Sequence, residues 1–133
     1  MQEALIQFIW NHRLYNSKNL ETSDGQTLHV DHPGFFNAIS GPDFSEARIK
    51  IGDNLWVGQV EIHVRSSDWF RHHHQNDSAY RNVILHVVLE HDVDVEYPSG
   101  SKVPTLELRG KIQANVLENY QKLQQQKGRS LCI

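Results

Sequence analysis

Two runs of apolar–polar alternation, joined by a short turn, constrain this chain more than any other feature. Ala47, Ile49 and Ile51 alternate with Arg48 and Lys50, and Gly52-Asp53-Asn54 follows. Those turn residues suit a tight connection between antiparallel strands. From Trp56 to Arg65 the alternation resumes, with Trp56, Val60, Ile62 and Val64 on one face. Gln59, Glu61, His63 and Arg65 share the other, because successive strand side chains point to opposite sides. The second face thus carries an amide, a carboxylate, an imidazole and a guanidinium in a row. The row is either an ordinary solvated face or, in a central strand covered on both sides, a candidate site. Asp43 sits just ahead of the first run, behind Gly41-Pro42, and hairpin pairing carries it toward Glu61 and His63.

The flanking segments supply layers for that hairpin. Glu3 to Leu14 places Leu5, Ile6, Ile9 and Trp10 at helical spacing, which predicts an amphipathic first helix. Ser23-Asp24-Gly25 marks a turn between two short β-prone runs in 19–30, and His32-Pro33-Gly34 punctuates an irregular stretch up to Ser40. Ser66 or Ser67 is a candidate N-cap for a helix through Asp68, Trp69, Phe70, Arg71 and His72-His73-His74. Val83 to Glu90 is nearly all apolar and reads as a buried strand. Pro98-Ser99-Gly100 separates two further β-prone runs. A last helix spans Lys111 to Gln126, with Ile112, Val116, Tyr120 and Leu123 on one stripe. The pattern predicts an α/β (α+β) layered fold over residues 1–126, a single domain, followed by a structureless tail over 127–133.

Composition narrows the function classes. The chain has 133 residues, 38% hydrophobic and 22% charged, the balance of a soluble globular protein. A net charge of −3 excludes a strongly basic nucleic-acid binder but leaves room for a local basic groove, since Arg48, Lys50, Arg65 and Arg71 cluster mid-chain. Cys132 is the only cysteine, so neither an intrachain disulfide nor a cysteine zinc finger can form. That suits a reducing, cytoplasmic location. The opening residues read as neither a signal peptide nor a membrane span.

Asp43, Glu61 and His63 have the chemistry of a hard-cation site. Two carboxylates, a main-chain carbonyl and waters suit Mg²⁺ or Mn²⁺. The order helix, three strands, helix, strand, with Pro42-Asp43 ahead of one strand and Glu61-Ile62-His63 in the next, resembles the PD-(D/E)xK nuclease superfamily. That resemblance covers residues 3–90 and implies a restriction-endonuclease-like fold, a central mixed β-sheet flanked by helices. It implies that Asp43 and Glu61 bind the metal and that His63 stands where a lysine assists the attacking water. Gln59, Arg65 and Arg71 would then lie near the scissile phosphate of a nucleic acid. Some members carry a further acid in the first helix, where Glu3 lies; a helix-dipole partner is the simpler role. The histidine in the lysine position also fits a decayed module that binds nucleic acid or a protein partner without cutting it.

The longer runs HPGFFNAISGPDF, WVGQVEIHVRSSDW, HHHQNDSAYRNVILHVV and VPTLELRGKI resemble an uncharacterised bacterial family, a domain of unknown function. Its members continue past this point, which implies that 127–133 begins a further region. No activity comes with that likeness.

Two other clusters compete. His73 or His74 with Asp77, at helical i,i+4 or i,i+3 spacing, could share a zinc ion, with His63 or His86 completing the set. A solvated helical face accounts for them equally, and His86, within an apolar strand, reads as a hydrogen-bonded core histidine. Ser66, Ser67 and Asp68 near His63 suggest a hydrolase triad, but no nucleophile elbow is present and helix capping accounts for them.

Overall fold

A computed structural model describes residues 1–39, 41–71 and 80–131, with side chains placed as far as residue 125. The elements run α1 (Glu3–Asn11), β1 (Leu28–His32), β2 (Phe35–Phe36), β3 (Phe44–Ile51), β4 (Asn54–Arg65), α2 (Asp68–Arg71), β5 (Val83–Glu90), β6 (Thr105–Glu107) and α3 (Ala114–Leu131). The described strands form one mixed sheet of six in the order β1-β3-β4-β5-β6, with β2 pairing β3 beside β1. The first three pairings are antiparallel, and β4–β5 and β5–β6 are parallel.

The predicted hairpin forms. Ile49 faces Trp56 and Ile51 faces Asn54 across it. Its register slips between Phe44 and Ala47, where Glu46 takes φ +60°. The extra residue turns Phe44 back to the side of Ala47 and Ile49, so all three are buried in one cluster. Ile6, Ile9 and Trp10 of α1 close that cluster over Val60, Ile62, Leu85 and Val87. Trp10 also donates its indole N–H to the Pro33 carbonyl at 3.0 Å. A smaller cluster of Trp69, Val83, Val95 and Val103 is built from α2, the start of β5 and the segment after it.

β4 changes neighbours half-way along. Residues 54–60 pair with β3, and residues 59–65 pair with β5. The strand therefore has two open edges on opposite sides, one above residue 60 and one below residue 59. Asn82 O accepts the Gln59 N–H, so odd-numbered residues of β4 turn their main-chain groups toward β5. Even-numbered ones turn theirs toward β3.

Four expectations need correction. The last helix begins later and runs through Leu131, so the tail is helical to that point. Val93–Tyr97 forms no strand; a single Glu96–Lys102 bridge stands where a hairpin was expected. Ser66 and Ser67 do not cap α2 through their hydroxyls. Both hydroxyls bind Asp92, at 2.8 and 2.6 Å, tying the end of β4 to the segment after β5. Trp56, placed with the core face, lies beyond the reach of α1 and is half exposed.

Gly34, like Gly58, leaves no room for a side chain. Its φ is +93°, and a Cβ there would stand 2.8 Å from the Ser45 carbonyl oxygen. Gly34→Ala is expected to lower stability by about 2–4 kcal/mol, combining left-handed strain with overpacking. Urea denaturation would read this, and a loss below ~1 kcal/mol would contradict the close approach of β2 to β3.

Candidate functional site

The upper open edge of β4 is where the predicted acids meet. Among the described residues no strand lies beside Ile62 on the β3 side beyond Phe44, so its N–H needs another acceptor. Asp43 supplies it. Its Oδ2 accepts the Ile62 N–H at 2.7 Å, and its Oδ1 accepts Gln7 Nε2 of α1 at 2.7 Å. The Asp43 carboxyl is also hydrogen-bonded to that of Glu61. Glu61 is 3% exposed, and the charge of Glu3 on α1 reaches it. Glu61 of β4 thus meets Asp43 from the loop before β3 and feels Glu3 of α1 at the point where β3 and β4 part.

Their electrostatics follow from that crowding. Burial comes first in raising the Asp43 pKa, to about 8, and the hydrogen bond and charge of Glu61 add to it. The hydrogen bonds from Ile62 and Gln7 act in the opposite direction. Glu61 is also pushed up, by burial above all, with Glu3 adding to it while its bond to Asp43 opposes. Two carboxyls in one low-dielectric site share a proton because both cannot ionise cheaply.

His63 lies on the Glu61 side of β4 but is buried, 2% exposed, and its Nδ1 stands 2.7 Å from Nε2 of the equally buried His86. Glu61 and His86 are register partners across β4 and β5. The Trp69 ring lies against His86, with centroids 5.1 Å apart. His86 is a hydrogen-bonded core histidine, as its apolar strand implied.

The expected phosphate-side residues are not gathered at the acids. Arg65 pairs with Glu90 at 3.3 Å and Arg71 with Asp68 at 3.0 Å, so both cations have local carboxylate partners. Gln59 lies below Glu61 and lines a cavity of about 1070 Å³ at the lower open edge of β4. Its Oε1 is buried without a hydrogen-bond partner among the described residues. His72, His73, His74 and Asp77, the alternative zinc set, lie outside the described residues. Among the described residues, no group of three or more His, Cys, Asp or Glu side chains could hold a metal ion. A pair of carboxylates does fit Mg²⁺ or Mn²⁺ in kind, since these ions keep several waters and need only one or two protein carboxylates. Gln7 was not foreseen. Its place one helical turn after Glu3, on the same side of α1, is the signal that could have found it.

A family model described as "Protein of unknown function (DUF2851)" matches residues 3–133. No curated protein and no solved structure matches the chain. Among the described residues no helix is long and apolar enough to cross a membrane.

The acid pair sets a pH dependence. The raised Asp43 pKa means that between about pH 4 and pH 8 the folded chain holds a proton that the unfolded chain has released. The stability this contributes is complete below ~pH 4 and lost as pH rises through about 8. The slope is at most ~1.4 kcal/mol per pH unit for one proton. Glu61→Gln removes one charge of the pair. Urea denaturation from pH 5 to pH 8 is expected to show a flatter curve for the variant and greater stability than wild type at pH 8. Parallel curves would mean that the two carboxyls do not share a proton.

Proposed function

We infer that this chain, which belongs to the family of proteins of unknown function DUF2851, hydrolyses phosphodiester bonds in nucleic acid with the help of a divalent cation at Asp43 and Glu61. One observation carries the reading: the half-buried Asp43 carboxyl, at the start of β3, is hydrogen-bonded to the buried Glu61 carboxyl of β4 at an open strand edge, with the charge of a third acid on α1 reaching Glu61. Such a pair is costly alone and is relieved by positive charge. The order of elements around it, a helix, an antiparallel strand set, a short helix and a parallel strand, agrees with a restriction-endonuclease-like arrangement.

Each side chain has a role in that reading. Asp43 and Glu61 hold the cation through carboxylate oxygens. Gln7 and the Ile62 N–H fix the Asp43 carboxylate by binding one oxygen each, so its orientation is set before a ligand arrives. When bound, Mg²⁺ or Mn²⁺ neutralises phosphate charge and lowers the pKa of a water. His63, in the place of the expected lysine, is held by His86 behind Glu61 rather than presented to solvent.

That last observation favours a second reading, a module that binds nucleic acid or a protein partner without cutting it. A Mn²⁺-dependent cleavage assay on single- and double-stranded DNA and RNA separates the two. The expected result is metal-dependent cutting, lowered at least ~100-fold in Glu61→Ala, the scale on which a preorganised electrostatic group acts. Calorimetric Mn²⁺ titration is expected to show one site in wild type and at least tenfold weaker binding in Asp43→Ala. Equal Mn²⁺ affinity in both proteins removes Asp43 from the site, and a folded wild type that never cuts leaves the binding module.

A further inference from the structure

We propose that the uncovered half of the sheet below Glu61 is a track for single-stranded nucleic acid, with Arg48, Lys50 and Arg81 holding phosphates and Gln59 contacting a base or sugar. The substrate class deepens the nucleic-acid reading above and rests on it, but the track makes a claim about binding that stands or falls apart from cleavage.

The argument begins with what covers the sheet. α1 packs on the side of Ala47, Ile49, Val60 and Ile62. On the opposite side, the α2 cluster with His63 and His86 covers only the upper part of β4 and β5. Across β3 and the lower part of β4, that side is left to solvent. Arg48 and Lys50 stand exposed there, opposite Val57 and Leu55. Leu55 and Val57 are about half exposed, apolar contacts open to a base. Leu55, Val57, Gln59 and Glu61 follow one another on the same face, so the track ends at the acid pair. Val57 lies four residues from Glu61, about 14 Å at the ordinary strand rise.

Charge favours a polyanion. Arg48, Lys50 and Arg81 have no carboxylate within ion-pair distance among the described residues, whereas Arg65, Arg71, Lys102 and Arg109 each have one. Among the described residues Arg13, Lys18, Lys111 and Lys122 have none either, so what sets Arg48, Lys50 and Arg81 apart in a chain of net charge −3 is their place along one run of strand and its cavity. The flanking acids are Asp31, which pairs with His29 at 3.1 Å, and Glu46 and Asp53 at the bulge and turn of the hairpin.

The end of the track supplies specificity for a single strand. Val57, Gln59 and Arg81 line the cavity of about 1070 Å³ below the start of β5. The Gln59 side chain thus borders the space a base or sugar would enter. Trp56, 49% exposed, stands on the α1 side of β4 and lines the same cavity from across the strand. In a duplex the base faces are stacked and the Watson–Crick edges paired, so a splayed base for such a cavity comes from a single strand.

Fluorescence anisotropy with labelled 12-mer oligo-dT and oligo-U, without divalent cations to prevent cutting, tests the track. Binding is expected to weaken with salt with a log–log slope of about −2, for three contacts on a single strand. The Arg48→Ala/Lys50→Ala/Arg81→Ala variant is expected to lose at least tenfold in affinity and most of that slope. Arg65→Ala/Arg71→Ala is expected to bind as wild type does. The single variant Lys50→Glu, on an exposed strand position, is expected to weaken binding several-fold and serves if the triple variant does not fold. The track is overturned if the triple variant or Lys50→Glu binds like wild type, if a duplex of the same length binds as tightly as the single strand, or if wild type binds neither oligomer. Binding without cleavage would leave the track standing and remove hydrolysis. Glu61-dependent cleavage without a role for these cations would remove the track alone.

Discussion

The arrangement depends on β4 being longer than either of its neighbours' contacts with it. A sheet interior strand satisfies its main-chain groups on both sides along its length, and β4 does so only around residues 59 and 60. Above, the chain must find an acceptor for Ile62, and below it leaves the edge beside the cavity open. Both features that bear on function lie at these two edges, diagonally across one strand.

At the upper edge, a side chain does the work of a strand. Asp43 ends the loop before β3, and its carboxylate takes the Ile62 N–H. Once in that position it is held from the far side by Gln7 of α1 and pressed against Glu61. Backbone satisfaction thus brings the half-buried Asp43 carboxyl against the buried carboxyl of Glu61. The electrostatic cost appears as a shared proton, with the Asp43 pKa raised to about 8 by burial and then by Glu61.

The two faces of the sheet divide the other roles. The α1 face is apolar throughout and anchors the fold through Trp10, Ile62 and Val87. The opposite face changes character along β4. Exposed Leu55 and Val57 give way to half-buried Gln59 and then to buried Glu61 and His63. That gradient is a consequence of where α2 ends its cover, and it leads from open surface into the acid site.

Much of this was legible in the residues themselves. The period-two runs determined β3, β4 and the row from Gln59 to Arg65, because one face had to be buried and the pleat allows only two faces, and the unbroken apolar run of Val83–Glu90 marked β5 as a strand covered on both sides. Asp43 toward Glu61 followed from hairpin pairing alone. Tertiary structure decided the rest. Alternation says which face a side chain takes, not what covers that face, so the burial of His63 against His86 required knowing that β5 lies parallel to β4 in that register. Arg65 is a cation in any reading, but only the fold brings Glu90 beside it, whereas Asp68 and Arg71 pair locally at i,i+3; among the described residues Arg48, Lys50 and Arg81 have no carboxylate partner. Long-range partners of this kind depend on loop paths and registers that no local pattern encodes.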